Sequence, residues 1–264
     1  MKHPRPVATA RNVVQWGKHG GHGMKNDFAR EYEKLVSDPK KDFPDYVKFI
    51  SALQTDVTYE KIDFYFRLLK DKRNPPLFLA LRAFFDKFGG RGERYLLGFL
   101  SESGDKDLAA EAITILSGHS YQSKEALPYI RRYMADCDEN LRHSATIALG
   151  LVGEENDFVL LRERAEHEAE AVGKGYALSA MRQMYFRIPR LKKQVLECYQ
   201  KEISAVDNDD LILIIAACTQ DLLKKRLNIT ENERGIHAKD TPEAIKAKVI
   251  KLLEKYIAHE DSPA

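Results

Sequence analysis

Apolar residues along this chain recur mostly at intervals of three and four, the spacing that collects them on one side of an α-helix. The clearest case runs from Asp138 to Gly153, where Leu141, Ala145, Ala148, Leu149 and Val152 form a single stripe. Asp138 stands where a side-chain oxygen can accept from a free helical N–H. The glycines stand at the far end, where a left-handed stop costs least. The segment therefore predicts one capped, amphipathic helix.

The same pattern returns along the chain. Asp138 minus Asp105 is 33, and at that offset Leu108 matches Leu141 and Ala112 matches Ala145. Ala80 lies 32 residues before Ala112, and Ala177 and Ala180 lie 32 residues after Ala145 and Ala148. A looser copy starts at Asp207, with Leu211 to Thr219 as its apolar body. Ahead of each copy lies another helical stretch: Tyr59 to Leu69, Glu93 to Leu100, Lys124 to Met134, Phe158 to His167 and Leu191 to Ile203. A pair of helices cannot bury its apolar face alone, so such hairpins must stack on their neighbours. The small residues Ala80, Ala112, Ala145 and Ala177 let adjacent helices approach closely. The expected fold is all-α, an α-α superhelix of about five helical hairpins with helical caps.

At these residues the chain resembles the HEAT-repeat family, in particular the short type related to phycobilisome-lyase repeats. The second helix of that type reads approximately D-x-x-V-R-x-x-A-x-x-A-L-G. Asp138, Leu141, Arg142, Ala145, Ala148, Leu149 and Gly150 match it, and the resemblance extends over about residues 58–220. It implies a HEAT-like solenoid. It also implies a structural aspartate–arginine pairing of Asp138 with Arg142, and says little about function.

Around the array at 58–228, residues 26–57 supply two helices, Asp27 to Val36 and Phe43 to Leu53, that can cap its N-terminal end. Residues 1–25 carry Lys18-His19-Gly20-Gly21-His22-Gly23 and read as a flexible tail. Residues 229–264 form the other cap. There Thr230 and Glu233 have capping-box spacing, Gly235 breaks, and Thr241 and Pro242 start a helix over 242–258.

Composition narrows the function classes. Hydrophobic residues make up 44% and charged residues 31%, a balance that folds. The longest apolar run, Leu211 to Cys218, is far short of a membrane span. No apolar segment follows the basic start, so a cytoplasmic protein is expected. Cys137, Cys198 and Cys218 are scattered without metal-ligand spacing and read as reduced packing residues. With 42 Lys and Arg against 40 Asp and Glu, the net charge is only +2, too little for the whole-chain field to hold DNA strongly.

Candidate chemistry is sparse. His3, His19 and His22 supply too few held ligands for zinc. Asp105/Asp107 and Asp207/Asp209/Asp210 fall at helix starts, where carboxylates cap N–H groups. Gly89-Gly90-Arg91-Gly92 could cradle a phosphate, but it lies between repeats and reads as a turn. No catalytic, metal or cofactor site is assigned. Partner binding is the natural use of an extended concave surface lined by second helices. The residues about half a turn from the core positions are Phe78, Arg82, Phe85, Glu111, Thr114, His143, Thr146, Lys174, Leu178 and Arg182, and these are the expected contact residues. The expected partner is another protein, as for an immunity protein or an assembly chaperone. An alkylpurine-glycosylase-like enzyme on nucleic acid and a phycobilin-lyase-like protein are the alternatives.

Overall fold

The computed structural model describes residues 22–38, 40–232 and 235–260. The helices are α1 (His22–Ser37), α2 (Phe43–Leu53), α3 (Tyr59–Leu68), α4 (Pro75–Ala83), α5 (Gly89–Glu102), α6 (Lys106–Ser117), α7 (Leu127–Tyr133), α8 (Glu139–Val152), α9 (Phe158–His167), α10 (Ala171–Arg187), α11 (Lys192–Ala205), α12 (Asp209–Leu223) and α13 (Pro242–Glu260). A two-stranded antiparallel hairpin, β1 (Ile229–Asn232) and β2 (Gly235–Ala238), sits between α12 and α13. The fold is the expected all-α solenoid of hairpins α3/α4, α5/α6, α7/α8, α9/α10 and α11/α12.

Local chemistry sets the starts of the second helices. Asn74, Asp105, Asp138 and Asn208 each accept, through the side chain, the backbone N–H three residues on. The acidic pairs thus cap helices, although the cap of α12 is Asn208 rather than Asp207. Asp138 gives its carboxylate to the Leu141 N–H, so the expected pairing with Arg142 does not form. Arg142 instead donates to the carbonyls of Asp136 and Cys137 at 2.9 and 2.8 Å, tying down the loop that enters α8.

Packing follows the small residues. Ala112, Ala145 and Ala177 are fully buried and Ala80 nearly so. The second helices α6, α8, α10 and α12 lie side by side in order, whereas the first helices α5, α7 and α9 pack mainly onto their own partners. Closer spacing in one row than in the other turns a solenoid, which puts the second helices on the inner side. An aromatic cluster joins the first two hairpins: Tyr65, Phe66, Phe85, Phe88, Tyr95 and Phe99 meet edge to face, with centroids 5.0 to 5.8 Å apart in several pairs. At the other end Ile245, Val249 and Leu253 of α13 are buried, with α13 lying over α11 and α12.

Three expectations about irregular segments need correction. The first helix starts at His22, inside the stretch read as a tail, while His3 and His19 lie outside the described residues. Gly89, at φ +54°, makes the break before α5, and Gly90, Arg91 and Gly92 belong to that helix rather than to a loop. Thr230 does not cap a helix: it pairs with His237 in the hairpin, where Ile229, Thr230 and Ile236 supply the β-branched side chains strands favour. Glu233 lies outside the described residues.

Candidate functional site

An inner-row helix can contact a partner only through the arc its neighbours leave open. On α8 the core stripe is Leu141, Ala145, Ala148, Leu149 and Val152, all at most 1% exposed. A second arc is also closed. Thr146 lies against Met134, its Oγ1 3.5 Å from the sulfur, and Gly150 abuts Ala180 of α10. One stripe stays at least partly open, Asn140, Ser144, Ile147 and Leu151, spaced at three and four, with exposed Glu139 and half-buried Arg142 and His143 beside it. On α10 the corresponding stripe is exposed Val172, half-buried Tyr176, Ser179 and Gln183, and exposed Phe186, with half-buried Lys174 and exposed Arg187 beside it. The stripe positions themselves carry no charge, while Glu139 and Arg187 are exposed at their edges. Ile147, Val172 and Phe186 are 41, 59 and 52% exposed, and Leu79 on α4 is 51% exposed.

The ten expected contact residues distribute differently. Phe85, Thr146 and Leu178 are fully buried, and Glu111 and Arg182 are 7 and 9% exposed. Phe78, Arg82, Thr114, His143 and Lys174 are half-buried. The physical reason is phase. Each inner helix touches its own first helix and a second helix on either side, so well over half its circumference is covered. Thr146 and Ile147 differ by about 100° around the axis, and that step separates closed from open. Phe85 is misplaced for another reason: it lies past the end of α4, in a 3-10 turn over Phe84–Phe88 that folds it into the aromatic cluster.

The charged members of the ten are engaged between repeats. Glu111 of α6 lies 3.5 Å from Lys72 and 3.7 Å from Arg82, and both cations sit 5.3 Å from the Phe78 ring. Burial lifts the Glu111 carboxyl above the ordinary range although the two cations oppose it. Glu111→Gln is therefore expected to leave stability at pH 7 unchanged or raised by up to about 1 kcal/mol, since removing a buried charge offsets the lost pairs. Chemical denaturation checks this, and a clear loss would show that the pairs outweigh burial.

Further along, Lys174 of α10 meets Glu202 of α11 at 2.8 Å. Arg182 reaches Asp221 of α12 at 2.8 Å and Glu231 of β1 at 3.2 Å. Burial works against the Arg182 charge, and the groups around it, among them Glu231 and Asp221, more than compensate, so its pKa stays above the usual value. His143 stacks beside Tyr176, with ring centroids 4.8 Å apart, and burial lowers its pKa. These side chains bind the array to itself.

Among the described residues no three His, Cys, Asp or Glu side chains converge as metal ligands, and no helix is long and apolar enough to cross a membrane. Cys137, Cys198 and Cys218 are all free thiols. The open apolar residues Leu79, Ile147, Val172 and Phe186 were missed by reasoning from the stripe alone. Their signal in the sequence is that each is a large apolar residue outside its helix's core stripe.

A sequence profile described as HEAT repeats matches residues 94–182, the span from α5 to α10. It does not distinguish the phycobilisome-lyase type. No curated protein matches the chain. Among solved structures, human deoxyhypusine hydroxylase in complex with glycerol is similar over 89% of this chain and 97% of that one, at 15% identity and a TM-score of 0.32. Superposition that loose supports no functional argument.

Proposed function

Because residues 94–182 are HEAT repeats and the same hairpin unit continues on both sides, we propose that this HEAT-repeat protein is a non-enzymatic binder that holds a partner protein against its inner row of helices. The observation that carries the reading is a partly open stripe on α8 and α10 whose own positions carry no charge. Large apolar side chains at Ile147, Val172 and Phe186 stand there among Asn140, Ser144, Ser179 and Gln183. Apolar anchors ringed by uncharged polar groups suit the desolvated centre of a protein interface. A nucleic-acid groove wants cations free to meet phosphate, and Lys174 and Arg182 are engaged with carboxylates while Arg82 stands 3.7 Å from Glu111. A toxin to be neutralised or a subunit awaiting assembly are the kinds of partner that fit. The free thiols suit a reducing, cytoplasmic compartment.

The test is Ile147→Asp combined with Phe186→Asp. Both sites are open, so thermal unfolding should be nearly unchanged, while affinity for a partner recovered by cross-linking in cells should drop at least about tenfold, or about 1.4 kcal/mol. Unaltered capture by the double variant would place the interface elsewhere. Incubation with alkylated DNA tests the enzyme reading, and release of free base with turnover would overturn the binder.

A further inference from the structure

The chain carries a net charge of only +2, yet its unpaired cations are not evenly spread. At the C-terminal end of α12 an open cavity of about 390 Å³ is lined by Lys224, Lys225, Arg226 and Lys239, together with Asn228 and Thr230. That volume lies in the range of about 300–1,000 Å³ usual for small-ligand sites. Asp221 is the one carboxylate on its wall, and Arg182 already holds it at 2.8 Å. Among the described residues, none of the four cations forms an ion pair. Asp240, next to Lys239, is taken by Lys248 at 2.7 Å.

The wall is built rather than merely exposed. Lys224 and Asn228 both adopt left-handed backbone, at φ +50° and +60°, which for a lysine persists only where the surroundings impose it. Lys224 is the left-handed cap that ends α12, and the Gln220 amide braces the loop that follows. Its Oε1 accepts from the N–H groups of Leu227 at 2.8 Å and Ile229 at 3.4 Å, and its Nε2 donates to the Ile229 carbonyl at 3.1 Å. The Lys225 N–H closes the turn on the Gln220 carbonyl at 3.1 Å. One side chain thus pins the loop at Leu227 and Ile229, and Lys239, just after the β-hairpin, also lines the cavity.

We infer that this cavity is a binding site for a compact polyanion carrying several phosphate groups, separate from the protein-binding face. Three lysines and an arginine line it against one carboxylate, Asp221, which Arg182 shares, and lysine serves as a point-charge phosphate binder while arginine adds a planar fork. The lining residues include no aromatic side chain, and Ile229 is the apolar one, so the site has no platform on which a nucleobase stacks. The charges are gathered in one bowl rather than along a track, which favours a small, densely charged ligand over a nucleic-acid strand. Inorganic polyphosphate and a multiply phosphorylated small molecule share that chemistry.

Isothermal titration of the full chain with inorganic tripolyphosphate, a sugar bisphosphate, orthophosphate and duplex DNA tests the assignment. Tripolyphosphate or the bisphosphate should bind at least about 10-fold more tightly than orthophosphate, with affinity falling as salt rises. The tighter of the two identifies the source. Lys225→Ala with Lys239→Ala should weaken the tighter ligand at least about 10-fold. The control Lys251→Ala with Lys255→Ala, which removes the same charge from exposed positions of α13, should weaken it less than about 2-fold. Ile147→Asp with Phe186→Asp should leave it unchanged, so this site and the inner face can fail separately. No binding of either ligand at low salt, orthophosphate binding as tightly, or equal losses in the two lysine variants would overturn the assignment. Duplex DNA binding more tightly through the same lysines would overturn it in favour of a nucleic-acid contact.

Discussion

Glutamate placed at three successive positions of α8 is expected to give three widely different stabilities. Ala145 is fully buried on the core stripe, so Ala145→Glu confines an unpaired carboxylate among apolar neighbours and should cost about 4 kcal/mol or more. Native stabilities lie around 5–15 kcal/mol, so this variant sits at the edge of folding. Thr146→Glu should be nearly as damaging. Thr146 is also fully buried, its hydroxyl donates to the Arg142 carbonyl at 2.8 Å, and its outer side is closed by Met134. Ile147 is 41% exposed, and Ile147→Glu should change stability by no more than about 0.5 kcal/mol. Urea denaturation followed by helical circular dichroism ranks the three. A tolerated Thr146→Glu beside a damaging Ile147→Glu would mean that α8 is rotated by about 100° from the phase described.

Gly150→Ala tests the contact between neighbouring repeats. A Cβ at Gly150 would lie 2.7 Å from both the Cα and the carbonyl oxygen of Ala180, and 2.9 Å from its Cβ. The obstacle is mostly backbone, so it yields only if α10 moves away from α8 as a unit. Overpacking of that kind costs about 1–3 kcal/mol. Alanine is the better helix former by about 1 kcal/mol, which offsets part of the loss. A net destabilisation of about 1 kcal/mol, and no more than about 2, is expected by the same reckoning. Gly98 of α5 provides the opposite case: nothing lies within 4 Å of its would-be Cβ. Gly98→Ala should therefore raise stability by up to about 1 kcal/mol. If both substitutions shift the denaturation midpoint in the same direction, the close approach of α8 and α10 is not the reason for the glycine.

What could be read from the sequence was whatever a single hairpin encodes in itself. The bounds of α2 and α9 follow from their own apolar stripes. The caps at Asp105 and Asp138 follow from a side chain and an N–H three residues apart. The close-packed alanines follow from a repeat of 32 or 33 residues. Each signal is local, or local and repeated, so it survives without knowledge of neighbours.

Tertiary structure decided what depends on residues outside the helix concerned. Thr146 looks outward on a helical wheel, but Met134 and the flanking helices close that side, and the wheel contains neither. Arg82, Lys174 and Arg182 look like a basic inner surface until Glu111, Glu202, Asp221 and Glu231 arrive from other elements to engage them. The segment after Gln220 reads as breaks and a cap. It becomes a shaped cationic bowl because one amide side chain bonds the loop while a hairpin folds Lys239 back towards it. Helical periodicity reports which side of a helix faces its own hairpin. The second buried arc, and hence the arc left for a partner, is set by how consecutive hairpins stack, and that geometry exists only once the array has formed.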